Sequence, residues 1–129
     1  MWHLAVQYST YVYKTLPWAN NISPSDLFFG STLPWHKLQN MHVWGCPVYV
    51  LSPTLQSGNK ISWWEPRSRC GVFCGLSTIH SSEVHQVLNL TTGSTTTQFH
   101  MVFDDLFTTA SLIQRDEELP SHWNDLCLE

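Results

Sequence analysis

Apolar residues return every three or four positions at the start of the chain: Trp2, Ala5, Val6, Val12, Tyr13 and Leu16, with Ser9 in the same register. That period predicts one amphipathic helix over residues 2–15. Pro17 then stops it, because proline has no N–H to donate and its ring blocks a further turn. No capping sequence precedes Trp2, which points to a chain that begins partway into a larger structural unit. A second, miniature helix is marked by its ends. Ser23 can cap it, Pro24 suits the first helical position, Asp26 favours the positive end of the dipole, and Gly30 can close it. Leu27 and Phe28 are the side chains expected to dock it. From Leu33 to Met41 the mixture of Pro34, Trp35, His36, Lys37 and Asn40 keeps no period and predicts an ordered connection.

After residue 41 the pattern changes to short runs of β type: His42-Val43-Trp44, Pro47 to Leu51, Arg69 to Leu76, His85 to Leu90, and Thr95 to Phe103. Turn-forming stretches separate them at Ser57-Gly58-Asn59-Lys60, at Ser77 to Ser82 and at Thr91-Thr92-Gly93-Ser94, the last a hairpin signal. About five short strands in some sixty residues predict a small antiparallel barrel over 42–103. Its expected inward-facing side chains are Val43, Val48, Val50, Val72 and Phe73. Gly45, Gly71 and Gly75 read as structural positions where such a barrel bends or its backbones approach closely. Cys70, Val72 and Cys74 alternate along one strand, which predicts a shared apolar stripe.

Composition sharpens this picture. Hydrophobic residues make up 43% and charged residues 12% of the 129 positions, which argues against intrinsic disorder. Seven tryptophans among so few charges point to surfaces that pack against something else. Charge is divided: residues 1–103 hold five basic residues (Lys14, Lys37, Lys60, Arg67, Arg69) against three acidic ones (Asp26, Glu65, Glu83). Residues 104–129 hold Arg115 against Asp104, Asp105, Asp116, Glu117, Glu118, Asp125 and Glu129, an acidic tail. No stretch approaches the roughly 20 apolar residues of a membrane span, and no signal-peptide core opens the chain, so the expectation is a soluble intracellular protein with no membrane partner. Cys46, Cys70, Cys74 and Cys127 form no CxxC pair and read as free thiols.

Three segments carry a family resemblance. Trp44-Gly45-Cys46-Pro47-Val48-Tyr49-Val50, then Pro66-Arg67-Ser68-Arg69-Cys70-Gly71-Val72-Phe73-Cys74-Gly75, then Val102-Phe103-Asp104-Asp105 resemble, in order and spacing, the region after the integrase core of copia-type retrotransposon polyproteins. Upstream, Ala5 to Pro17 resembles the last helix of that core, and Ser23-Pro24-x-x-Leu27-Phe28-x-Gly30 its short "Thr-Pro-x-x-Leu-x-x-Gly" element. Cys70, Cys74, Leu76 and Lys14-Thr15 depart from the family pattern. The resemblance implies a helical end of an RNase H-like core over 1–41, an SH3-like β-barrel over 42–107 and an acidic tail over 108–129. The family's two Asp and one Glu, which hold two divalent metals, match no position here, the Glu falling upstream of Trp2. The resemblance therefore implies a non-catalytic accessory domain, not an enzyme, that positions DNA or contacts other integrase or polyprotein segments.

Candidate site residues are few. Lys60, Arg67 and Arg69 could meet the phosphates of duplex DNA, although an excess of two positive charges falls short of the basic footprint of a dedicated DNA binder. Trp63 and Trp64 could stack on bases, but adjacent tryptophans more readily divide between core and a partner surface. His80, His85, His100 and His122 with Cys70 and Cys74 are zinc-compatible types lacking close ligand pairs, so no metal or cofactor is expected. Cys46 and Ser68 come with no nucleophile elbow, and no small-molecule substrate is expected. Asp104 and Asp105, adjacent in sequence, should end the last strand on opposite faces. The alternative to the integrase role is a protein-interaction module, or a decayed element product with no function of its own.

Overall fold

A computed structural model of the chain describes residues 1–18, 20–31, 39–80 and 83–110. Helix α1 spans Trp2–Thr15, with Met1 as N-cap and no side-chain cap. Leu16 turns extended (φ −70°, ψ 132°), as the residue before a proline must. Helix α2, Pro24–Phe29, is built as its ends predict. Ser23 Oγ accepts from the Asp26 N–H and Asp26 Oδ2 accepts from the Ser23 N–H, both at 3.1 Å, and Gly30 closes it in the left-handed region at φ 66°.

The docking of α2 corrects the expectation. Leu27 and Phe28 are exposed, Phe28 by 84%, and no residue of α2 is buried. The capping box turns Asp26 back onto the buried Ser23, so that side of the helix faces the protein. At 100° per residue Phe28 then points the other way.

Five strands follow: β1 Pro47–Leu51, β2 Ser68–Leu76, β3 His85–Asn89, β4 Thr95–Gln98 and β5 Met101–Phe103. A four-residue helix, α3 (Pro53–Gln56), which the hydrophobic pattern does not signal, lies between β1 and β2. All pairings are antiparallel, in the order β4-β3-β2-β1-β5. The chain is mainly β, with a helix before the sheet and a short second helix. Five strands were expected, but not these five. Residues 42–44 form no strand, because the His42 N–H goes to the Tyr8 hydroxyl and the Val43 N–H to Asp105 Oδ1, side chains that replace a neighbouring strand. The run from Thr95 to Phe103 instead breaks at Phe99-His100 into two strands.

The sheet is open, with β4 and β5 as its edges, yet strongly curled. Only two residues separate Gln98 from Met101, a reach of about 11 Å, whereas the edges of a flat five-stranded sheet stand about 19 Å apart. The same curl brings the His85 ring of β3 to 5.0 Å from the Phe103 ring of β5. A bulge between Phe73 and Gly75 helps bend β2, and Gly75 takes φ 117°, which a side chain would resist. A Cβ on Gly71 would lie 2.5 Å from Val87 Cγ1, so glycine is needed there for close approach.

Val48, Val50, Phe73 and Val87 fill the concave face with Cys46, and Tyr8 of α1 packs into the same core at 5.3 Å from Phe73. Two expected core positions differ. Val43 is 47% exposed, lying in the coil just described. Val72, adjacent to Phe73 in β2, must face the opposite side, where its cross-strand partner is Leu88. The expected stripe is uneven: Cys74 is buried while Cys70 and Val72 are half-buried, since the bulge interrupts alternation. Cys46 and Cys74 are free thiols. No helix among the described residues is long and apolar enough to cross a membrane. The connection over 32–38, His122, Cys127 and the acidic tail from residue 111 lie outside the described residues.

Candidate functional site

Helix α1 is apolar on two sides. Leu4, Tyr8, Tyr11, Val12 and Thr15 turn towards the sheet, and Tyr8 and Thr15 are buried. The stripe read from the sequence is split between the two sides: Ala5 and Val12 are half-buried on the inner side, while Trp2, Val6, Ser9, Tyr13 and Leu16 form the other side and are exposed, Tyr13 by 56%. Trp18, edge-to-face with Tyr13 at 5.1 Å, extends it towards Ile22 and Leu27, and Phe28 and Phe29 of α2 are exposed as well. Two depressions mark this surface. One, about 330 Å³, lies among Trp18, Ile22, Pro24 and Leu27. The other is an open groove of about 760 Å³ between α1 (Ser9, Val12, Tyr13, Leu16) and residues 41–44, with His42 and Asp105 also in its wall.

The basic and aromatic candidates gather on the long connection from β1 to β2. Lys60, Trp63, Trp64 and Arg67 are exposed, and Arg69, at the start of β2 opposite Val50, is half-buried. No ion pair engages the three basic side chains among the described residues. Trp63 and Trp64, 82% and 70% exposed, pack on each other at 5.7 Å, so neither enters the core. That removes the core half of the expectation and leaves a partner surface or base stacking.

The best-connected polar group was not singled out as a site. His42 stacks on Phe103 at 3.5 Å, and its Nδ1 lies 2.8 Å from Asp105 Oδ2. Its backbone N–H and C=O are both held by the Tyr8 hydroxyl. His42 therefore joins α1, the end of β5 and the core. Burial alone would raise the Asp105 carboxyl, but hydrogen bonds from His42, the Val43 N–H and the Cys46 thiol hold it below its ordinary value. Asp104 faces elsewhere, accepting from the Thr108 hydroxyl and from the Thr109 hydroxyl and N–H, and these bonds lower it to about 2. The two carboxylates diverge as adjacency implies, with β5 ending just before them at Phe103.

Chemical readings narrow accordingly. Burial, with Asp105 nearby, pushes the Cys46 thiol up to about 12, so it is no nucleophile at neutral pH. His80 Nδ1 meets Ser77 Oγ at 2.7 Å across a short turn beside a pocket of about 350 Å³, which also holds Tyr11, Gln7 and Gln86. No group of three or more His, Cys, Asp or Glu is placed to hold a metal ion among the described residues. His85 is buried beside Phe73, a position legible in the alternation His85, Val87 along β3. The partnership of His42 with Asp105 spans 63 positions and no local spacing announces it. No family model, curated protein or solved structure matches the chain.

Proposed function

We propose that this chain is a non-catalytic, SH3-like accessory module of a copia-type retrotransposon integrase that works by contact with another polypeptide segment, through the aromatic face of α1 and α2. The observation that carries this reading is the set of exposed apolar side chains, Val6 and Tyr13 on the side of α1 turned away from the core, Leu16 and Trp18 just after it, and Phe28 on α2. Clustered exposed apolar side chains on a folded protein mark interaction surfaces, and aromatic side chains are enriched among the residues that carry binding energy there. The motif order over Trp44 to Asp105 supports the family, and the absence of matched catalytic carboxylates supports an accessory role.

The test is titration of the full chain with a separately produced copia-type integrase catalytic core. Tyr13→Lys combined with Phe28→Lys should weaken binding by about tenfold or more, since charges would be buried at the contact. Wild-type affinity in that double variant, or no binding by either protein, would overturn the reading. A second reading rests on Trp63 and Trp64 standing exposed beside Lys60 and Arg67. It assigns that connection to duplex DNA, and would show as a salt-dependent affinity lost in the Arg67→Ala, Arg69→Ala variant.

A further inference from the structure

The concave face encloses a group that the proposed function does not use. His85 is 6% exposed, and neither of its ring nitrogens makes a hydrogen bond that meets ordinary geometry among the described residues. Its surroundings are rings: Phe103 at 5.0 Å, Phe73 at 5.7 Å and His42 at 6.0 Å. Buried imidazoles are ordinarily partnered, because an unsatisfied polar group loses its water without compensation. Here burial among rings favours the neutral ring over the protonated one. We propose that His85 is a proton-operated catch: neutral, it lets residues 40–46 and α1 close over the sheet; protonated, it releases them while the sheet stays formed.

The geometry explains why release would be local. What lies over His85 is the layer held together by His42, whose backbone is bound by Tyr8 of α1 and whose ring is bound by Asp105 and Phe103. β2 and β1, by contrast, are joined by a continuous ladder that His85 does not enter. Water can reach a charged His85 by lifting the layer without unzipping that ladder.

The titratable groups facing His85 agree. From α1 comes the Tyr8 hydroxyl, already committed to His42. From residues 40–46 come the His42 ring and the Cys46 thiol, and beyond β5 comes Asp105, whose carboxylate is taken up by His42 and the Val43 N–H. Burial first, and then the nearby His42 ring, lower the His85 pKa. The backbone of Asn40 and Glu83 acts in the opposite direction. The sign follows: released, His85 takes a proton at its ordinary value near 6.5, and closed it takes one only at lower pH. Between those values acid favours release, by up to about tenfold per pH unit for one linked proton. Asp105 is held below its ordinary carboxylate value by its hydrogen bonds, so it takes no part in proton uptake near the ordinary imidazole value.

The experiment is amide hydrogen exchange of the full chain from pH 7.5 to 5.0, corrected for intrinsic rates. Expected is an increase in the opening of α1 on acidification, up to about tenfold per unit, with β1 and β2 protected throughout. In His85→Phe, which keeps a ring and cannot titrate, that dependence should vanish. In His85→Asn, α1 should open more at every pH and without a pH trend. The same trend in either variant, a flat wild-type profile, or loss of α1 and sheet protection together would each overturn the proposal.

Discussion

The two sides of α1 are alike in composition and opposite in circumstance. On the inner side Tyr8 sets its ring against Phe73 and its hydroxyl against the His42 backbone, satisfying both its apolar body and its polar tip. On the outer side Tyr13 touches Trp18 and remains more than half exposed. Hydrophobicity alone does not separate them. What separates them is that the curled sheet offers an aromatic socket with a hydrogen-bond partner at its rim to one side only. An apolar side chain stabilises this fold where the sheet completes its surroundings, and elsewhere is free to serve a partner.

Perturbing the inner side should cost most. Phe73→Ala empties the centre of the ring cluster and should lower stability by about 3–5 kcal/mol in denaturant unfolding; a loss below about 1 kcal/mol would put the core elsewhere. Gly71→Ala drives a Cβ to 2.5 Å from Val87 Cγ1 and 2.8 Å from the Leu88 carbonyl oxygen, for about 1–3 kcal/mol of overpacking. Tyr8→Phe keeps the ring but strands the N–H and C=O of His42, costing about 1–2 kcal/mol. On the outer aromatic surface, Phe28→Ser in α2 should change stability by no more than about 0.5 kcal/mol in the same unfolding measurement. A Phe28→Ser loss as large as that of Tyr8→Phe would erase the distinction between the two sides.

The smallest effect concerns the two carboxylates after β5. Thr109→Ala removes one of the hydroxyls that lower Asp104 to about 2 and should move it up towards 3.8 in a carboxylate titration, with Asp105 unmoved. Both groups are depressed in the folded protein. Their contribution to stability is therefore present above the ordinary carboxylate range and is lost as the pH falls through their folded values, in the same direction as that of His85, whose loss begins below its ordinary imidazole value.

Local chemistry was legible from residue types. Ser23, Pro24, Asp26 and Gly30 specify α2 almost alone, because a capping box and a left-handed terminus involve neighbours within a few positions. Pro17 ends α1, and the Thr-Gly-Ser turn between β3 and β4 sits where it was expected. Strand runs were legible too, apart from the break at Phe99-His100 that splits Thr95 to Phe103 into two strands, and apart from 42–44, whose N–H groups found side chains 34 and 62 positions away. The basic and aromatic residues of the β1–β2 connection could be named, but not their exposure.

What the sequence determined by itself, then, is where the chain turns, where it can be helical or extended, and which residues could carry charge or stack. Tertiary structure alone decided which side of α1 meets the sheet, that β4 and β5 become opposite edges drawn together by a two-residue link, and that His42 and Asp105 meet over an unsatisfied His85. The physical reason is range. Capping, turn formation and periodicity act over a few residues, whereas burial depends on which distant surfaces the curl of the sheet brings face to face.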